Sequence, residues 1–399
     1  MKQGWQIKRL GEICDILNGF AFKSNENVKE GVRVIRITNV QKGKIVDEEP
    51  KYFPVKRSNE ILKYILQDGD LLMSLTGNVG RVGIISSSLL PAALNQRVAC
   101  LRIKDKTISI KYLFHLLNSN LFEKDCIDSA SGIAQLNMST KWLEQYEMVI
   151  PPPSEQQRIV NLLDAECAKI DALKANAEKN LQNAKDLFQA ALKKELEPKK
   201  GWKNYRLGDI CTITSSKRIY KNEYVKEGIP FYRTKEIKEI ANGQPISLEL
   251  YISTERYMEI KKKYGVPQIN DILVSAVGTI GEMMIVKDDN PFYFKDGNLV
   301  WLRNITKTSA EYLRYYLLSA INRIKEMTIG AAYNALTIEK FQEMQIGLTS
   351  DTYVQQSIVA RLDTLNEKCK TLQANYEKTL SLCDDLKQAL LRKAFNGEI

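Results

Sequence analysis

The 399-residue chain has one histidine, His115 on an apolar stretch, and that scarcity removes His-dependent catalytic triads and most metal centres from consideration. Seven cysteines (Cys14, Cys100, Cys126, Cys167, Cys211, Cys369, Cys383) form an odd, scattered set with no Cys-x-x-Cys pair. Such a set predicts reduced thiols, and neither a zinc ribbon nor a disulfide framework. There is no G-x-x-x-x-G-K-[ST] phosphate loop, because Gly43 and Lys44 run straight into Ile45. ATP hydrolysis by this chain is therefore not expected. TGNVGRVG, from Thr76, lacks the G-x-G-x-x-G spacing and reads as tight turns between strands. Asn290-Pro291-Phe292 is one proline short of the motif carried by DNA amino-methyltransferases and also reads as a turn. No apolar run approaches the roughly 18 residues that span a bilayer, and MKQGWQIKRLGE has no apolar signal region. The expectation is a cytoplasmic protein with no membrane contact, no metal and no cofactor of its own.

Basic charge is in surplus. Against 48 acidic residues stand 58 Lys and Arg, a formal net charge of +10, which favours a polyanionic partner. The sequence also repeats itself. WQIKRLGEICDI from Trp5 returns as WKNYRLGDICTI from Trp202, and VKEG at Val28 returns at Val225 with the same offset. QDGDLLMSLTGNVG matches QINDILVSAVGTIG, YLFHLLNS matches YLRYYLLS, and QRIVNLLD matches QSIVARLD, with the slight drift that loop insertions produce. Two half-chains share one plan. Each has β-rich runs punctuated by Gly and Asn, then a helical stretch, an α+β unit followed by a long helix.

The long helices are the firmest local reading. Ser154 and Gln157, after Pro153, have capping-box spacing, and Pro198 stops the run. Apolar or small residues recur at Ile159, Leu163, Ile170, Leu173, Ala177, Ala184, Leu187 and Ala191, in alternating steps of three and four with Glu166 and Asn180 as the polar exceptions. The second helix carries Ile358, Leu362, Leu365, Cys369, Leu372, Tyr376, Cys383, Leu386 and Leu390 on the matching stripe, with Asn396 and Gly397 suited to its C-cap. Forty-odd residues at 1.5 Å each make rods roughly 60 Å long. Seams this narrow are best covered by each other. The chain path makes the rods antiparallel, because the first ends where the second globular unit begins. The domains expected are 1–153, globular; 154–197, helix; 198–351, globular; and 352–399, helix.

The remaining polar chemistry suits a binding surface. Lys23, Arg33, Arg36, Lys56, Arg57, Arg81 and Arg97, then Lys217, Arg218, Arg233, Lys235, Lys261, Lys262, Lys263 and Lys295, are candidate phosphate contacts. Beside them Ser24, Asn25, Thr76, Asn78, Asn95, Gln96, Gln135 and Asn137, then Thr279, Asn298, Tyr333 and Asn334, carry donors and acceptors that can read base edges. Segments that differ between the halves, such as LNQR against KDGN, are where two different sequences would be read.

RLGEICDILNGFAFKS, LPAALNQRVACLR, SGIAQLNMSTKWLEQYEMVIPPPSEQQRIV, LFQAALKKEL and the terminal LKQALLRKAFNGEI together resemble the DNA specificity subunits of type I restriction-modification systems, over the whole chain. The second half departs where IGLTSDTYVQQ replaces IPPPSEQQ. The resemblance implies two target-recognition domains, each reading one half of a split site in double-stranded DNA. It implies an antiparallel coiled coil with pseudo-twofold symmetry between them. It also implies a non-catalytic chain that holds two methylation subunits and the restriction/translocation subunits, with S-adenosylmethionine, ATP and Mg2+ on those partners. A specificity subunit of a different or methylation-only system, and a coiled-coil protein adaptor, are the alternatives.

Overall fold

The apolar runs DLLMSL, RVACLRI, DILVS and NLVWLR form the central strands of two alike sheets. In the computed structural model, which describes residues 3–132, 135–277, 280–320 and 337–399, the first sheet contains β1 (Cys14–Asn18), β2 (Leu71–Ser74), β3 (Val82–Ile84) and β4 (Val98–Ile103). Its order is β1-β4-β2-β3, antiparallel throughout. The second sheet, β5 (Thr212–Thr214), β6 (Ile272–Ser275), β7 (Met283–Ile285) and β8 (Leu299–Arg303), has the equivalent order β5-β8-β6-β7. Thr279, Tyr333 and Asn334 lie outside the described residues.

These strands are apolar on both faces because both faces are covered. Successive side chains point to opposite sides. Leu71, Met73, Ala99 and Leu101 join a core with Tyr112, Leu113 and Phe122. Leu72, Val98 and Cys100 pack on the other side with Ile35, Val40 and Leu94. The second sheet divides in the same way: Ile272, Val274 and Leu302 pack with Tyr312 and Leu313, while Leu273, Leu299 and Trp301 pack with Ile237 and Phe294.

Two 44-residue helices complete the fold, α1 (Pro153–Leu196) and α2 (Thr352–Phe395). Pro153 occupies the first helical position, where its missing N–H costs nothing. The expected Ser154–Gln157 box does not form, and Gln157 instead donates to Asn161 within the helix. Its neighbour does the anchoring. Buried Gln156 accepts from Ser109 N and donates to the Thr107 and Pro151 carbonyls. Gln355 repeats this at the start of α2, accepting from Thr308 Oγ1 and donating to the Lys307 and Thr349 carbonyls. Gly397, at φ +73°, ends α2 as its position foretold.

The chain divides into two compact units, Met1–Glu178 with Glu377–Ile399, and Lys179–Tyr376. Each unit holds the start of one long helix and the end of the other. In the first, Ile159, Val160 and Leu163 share a core with Leu391 and Ala394. In the second, Leu192 and Leu196 share a core with Ile358 and Leu362. Ion pairs mark the antiparallel register. Asp171 meets Lys387 at 2.9 Å and Lys174 meets Asp384 at 2.6 Å, so three residues up one helix is three down the other. Within the second unit Glu195 meets Arg361 at 2.7 Å.

The expected stripe is only partly covered. Ile159, Leu163, Ile170, Ile358 and Leu362 are buried, and Leu365 and Leu390 are half-buried, but Leu173, Leu187, Leu372 and Leu386 are exposed. Ala177, Ala184, Cys369 and Cys383 of the same stripe are buried, and so is Cys167, which is not on it. With small residues at the contact the helices close on that row, and the leucines three positions further round face solvent.

Repeat-related aspartates under the two sheets have different partners. Asp70 accepts from Arg102 through both oxygens, at 2.9 and 2.5 Å. Asp271 accepts from Trp301 Nε1 at 2.8 Å and from Gln268 N at 2.9 Å, both on one oxygen. Burial raises the Asp271 pKa, against the opposing hydrogen bonds and Arg303. A carboxyl with a raised folded-state pKa stabilises below its unfolded value and loses that contribution as pH rises through the folded one. Asp271→Asn is thus expected to hold or gain stability at pH 7 and to flatten the stability profile from about pH 4 upward. Asp70→Asn, which strips Arg102 of its counter-ion, is expected to cost about 2 kcal/mol. Denaturant unfolding across a pH series checks both.

Candidate nucleic-acid interface

Strand register brings the candidate loops together. In the first sheet Asn18 at the end of β1 lies opposite Ala99, and Ser74 at the end of β2 lies opposite Val98 at the start of β4. Residues 19–25, 75–81 and 95–97 therefore leave from one edge. They are stitched to one another. Phe20 N donates to Leu94 O at 2.8 Å, Gln96 N to Phe20 O at 2.9 Å, and Leu75 N to Arg97 O at 3.0 Å. Gly19 permits this, since a Cβ there would lie 2.3 Å from the Asn95 carbonyl. The same construction recurs in the second unit, where Thr214 lies opposite Trp301 and Ser275 opposite Leu299. Ala276 N donates to Asn298 O at 2.8 Å, and Ser215 Oγ donates to Leu299 O at 3.2 Å.

The outlying candidates are tied to these edges. Asn95 N donates to Ile35 O, beside Arg36, and Lys295 N donates to Tyr232 O, beside Arg233. Arg57 reaches Glu26, which adjoins Ser24 and Asn25, and so draws in Lys56. Tyr264 follows the Lys262-bearing helix turn, and Lys217 Nζ lies 5.4 Å from its ring centre.

Their partners separate the basic candidates into two kinds. Arg57 is held by Glu60 at 2.7 Å and lies over the Phe53 ring. Arg233 pairs with Glu236, fully buried, and with Glu249, which also takes Lys235. Arg36 donates to Glu49 O and Arg81 to Gln41 Oε1. These side chains brace their own loops, a use of positive charge that composition does not distinguish from phosphate contact. Lys23, Lys56, Arg97 and Lys262 are exposed and carry no ion pair among the described residues. Thr76 is buried, donating to Asn137 Oδ1 at 3.0 Å, so it shapes the 75–81 turn, whereas Ser24, Asn25, Asn78 and Gln96 are exposed.

In the second unit Arg218, Arg233, Lys295 and Asn298 line one cleft of about 780 Å³. Tyr220, Lys221, Tyr224 and Asp296 line it too and are not among the candidates; the acid is passed over because a negative charge does not read as part of a DNA surface. No group of three potential metal ligands occurs among the described residues. His115 is buried, its Nε2 2.8 Å from Asp164 Oδ1, and burial lowers its pKa, as suits a structural imidazole. All seven thiols are buried and unpaired.

A family model described as type I restriction modification DNA specificity domain matches this chain twice, over residues 2–183 and 199–381. The chain belongs to that family. Each match covers one repeat with its edge of loops. This specificity chain is 25% identical to the type I restriction enzyme EcoBI specificity subunit of Escherichia coli, across 99% of its own length and 86% of that protein. It is 30% identical to the MjaVIII specificity subunit of Methanocaldococcus jannaschii over 40% of its length and 39% of that protein. Its fold matches a chain from a structure on complex assembly and conformational transition of the type I R-M system, with a TM-score of 0.77 at 22% identity, covering 100% of this chain and 99% of that one. The HsdS subunit from Thermoanaerobacter tengcongensis matches with a TM-score of 0.53 at 21% identity, covering 100% and 98%.

Proposed function

We propose that this chain is the sequence-reading, non-catalytic subunit of a type I restriction-modification complex, in which each unit reads one half of a split site in duplex DNA. What carries the reading is the duplication of one construction, three stitched loops at the edge of a four-stranded sheet, with unlike residues at the two edges. Alike scaffolds with unlike tips suit two different half-sites. Exposed lysines at the edges contact phosphate and set register, and loop side chains contact bases. The paired helices set the gap and hold two methylation subunits, which bring S-adenosylmethionine. A restriction/translocation subunit adds ATP and Mg2+, and the complex acts in the cytoplasm.

Binding of the assembled complex to target duplex is expected to weaken steeply with salt, by about a thousandfold or more between 50 and 200 mM. Lys23→Ala, Lys56→Ala and Lys262→Ala each weaken binding evenly across sequences and reduce the salt slope by about one. A flat salt response would favour a protein-binding adaptor instead.

A further inference from the structure

Arg218 differs from the other arginines at the loop edges in how its guanidinium is engaged. Its Nε donates to Asp296 at 2.7 Å, while neither Nη has a partner among the described residues. The side chain is 64% exposed, against 16% for Asp296. Arg57, by contrast, spends both Nη groups on carboxylates, and Arg233 commits its Nε to Glu236 and its Nη2 to Glu236 and Glu249. An arginine held at Nε presents its Nη groups outward with much of its rotamer freedom already removed.

The ground beneath the pair is also fixed. Lys217 N donates to Tyr293 Oη at 2.7 Å, Ser215 Oγ donates to Leu299 O, and Ile219 is buried. Arg218 thus stands on a stapled loop, and Asp296 projects from the neighbouring one. A flexible phosphate contact needs no such brace. A base contact does, because guanine offers O6 and N7 at fixed positions in the major groove.

The geometry points to Arg218 as a guanine reader of the half-site bound by the second unit, with Asp296 as its positioning residue. The sheet registers show why this belongs to one half alone. Leu17 pairs with Cys100 as Thr214 pairs with Trp301, which sets Ala21 against Arg218, and Val98 and Leu299 correspond through Ser74 and Ser275, which sets Asn95 against Asp296. The first unit has neither the arginine nor the acid.

This inference rests on the DNA-reading function proposed above. The test uses the full chain in its complex, with competition binding to duplexes varied one base pair at a time. Arg218→Lys keeps the charge and loses the fork; it is expected to reduce discrimination about tenfold to a hundredfold at one G·C pair of one half-site. Asp296→Asn relaxes the same pair and no other. The other half-site keeps its preference and serves as the control for folding. Equal weakening at every position would make Arg218 a phosphate contact and overturn the inference while leaving the function standing. A wild-type second half-site without a critical G·C pair would do the same. Wild-type complex with no split-site preference at all would remove both.

Discussion

Leu391→Ala is expected to destabilise the first unit by about 3 kcal/mol and to leave the second unchanged, whereas Leu192→Ala does the reverse. The two leucines are repeat-related, 199 residues apart, and both are fully buried. Each sits near the far end of its helix, in the core of the unit opposite to the one where that helix begins. Leu391 joins Ile159, Leu163 and Tyr112, beside Phe395, whose ring meets Tyr112 edge-on at 5.5 Å. Leu192 joins Ile358, Leu362 and Tyr312. Truncating either opens a cavity that a packed core only partly closes. Hydrogen exchange, which reports each unit separately, checks the assignment. Protection lost in the unit where the mutated helix begins would contradict it.

Seven residues inserted into both helices, beside Glu178 in α1 and Glu377 in α2, are expected to lengthen the gap in the recognised sequence by about three base pairs, since a heptad adds about 10 Å of helix. A heptad keeps the seam in phase, and neither unit loses a core residue. The half-sites themselves stay as they were. Sequencing the methylated sites of such a variant reads gap and halves together, and an unchanged gap would remove the helices from the role of spacer.

The repeat and the long helices were legible because they rest on signals the sequence carries whole. Trp5 and Trp202 stand just before equivalent strands, Gln6–Arg9 and Lys203–Arg206, and prolines bound the first long helix, Pro153 at its start and Pro198 just past its end. The leucine stripe was only half legible. Its small members Ala177, Ala184, Cys369 and Cys383 are buried as expected while Leu173, Leu187, Leu372 and Leu386 are exposed, because spacing identifies a helix face but not which of its adjacent rows the partner covers. Among the basic residues the difficulty was different. Arg233 and Arg57 are consumed by acids near in sequence or brought near by the fold, and Arg218 is directed by an acid 78 residues away. Asp296, the residue that separates Arg218 from the rest, carries the wrong sign for a search led by positive charge. The contrast of LNQR with KDGN did mark its position, since the acid falls in the segment that differs between the repeats.

Mapping methylated bases across the genome of the host tests the central claim most directly. The expected result is one motif made of two unlike short halves separated by a constant number of unspecified base pairs. A continuous motif, two identical halves, or methylation with no motif would contradict a chain in which each repeat reads its own half-site.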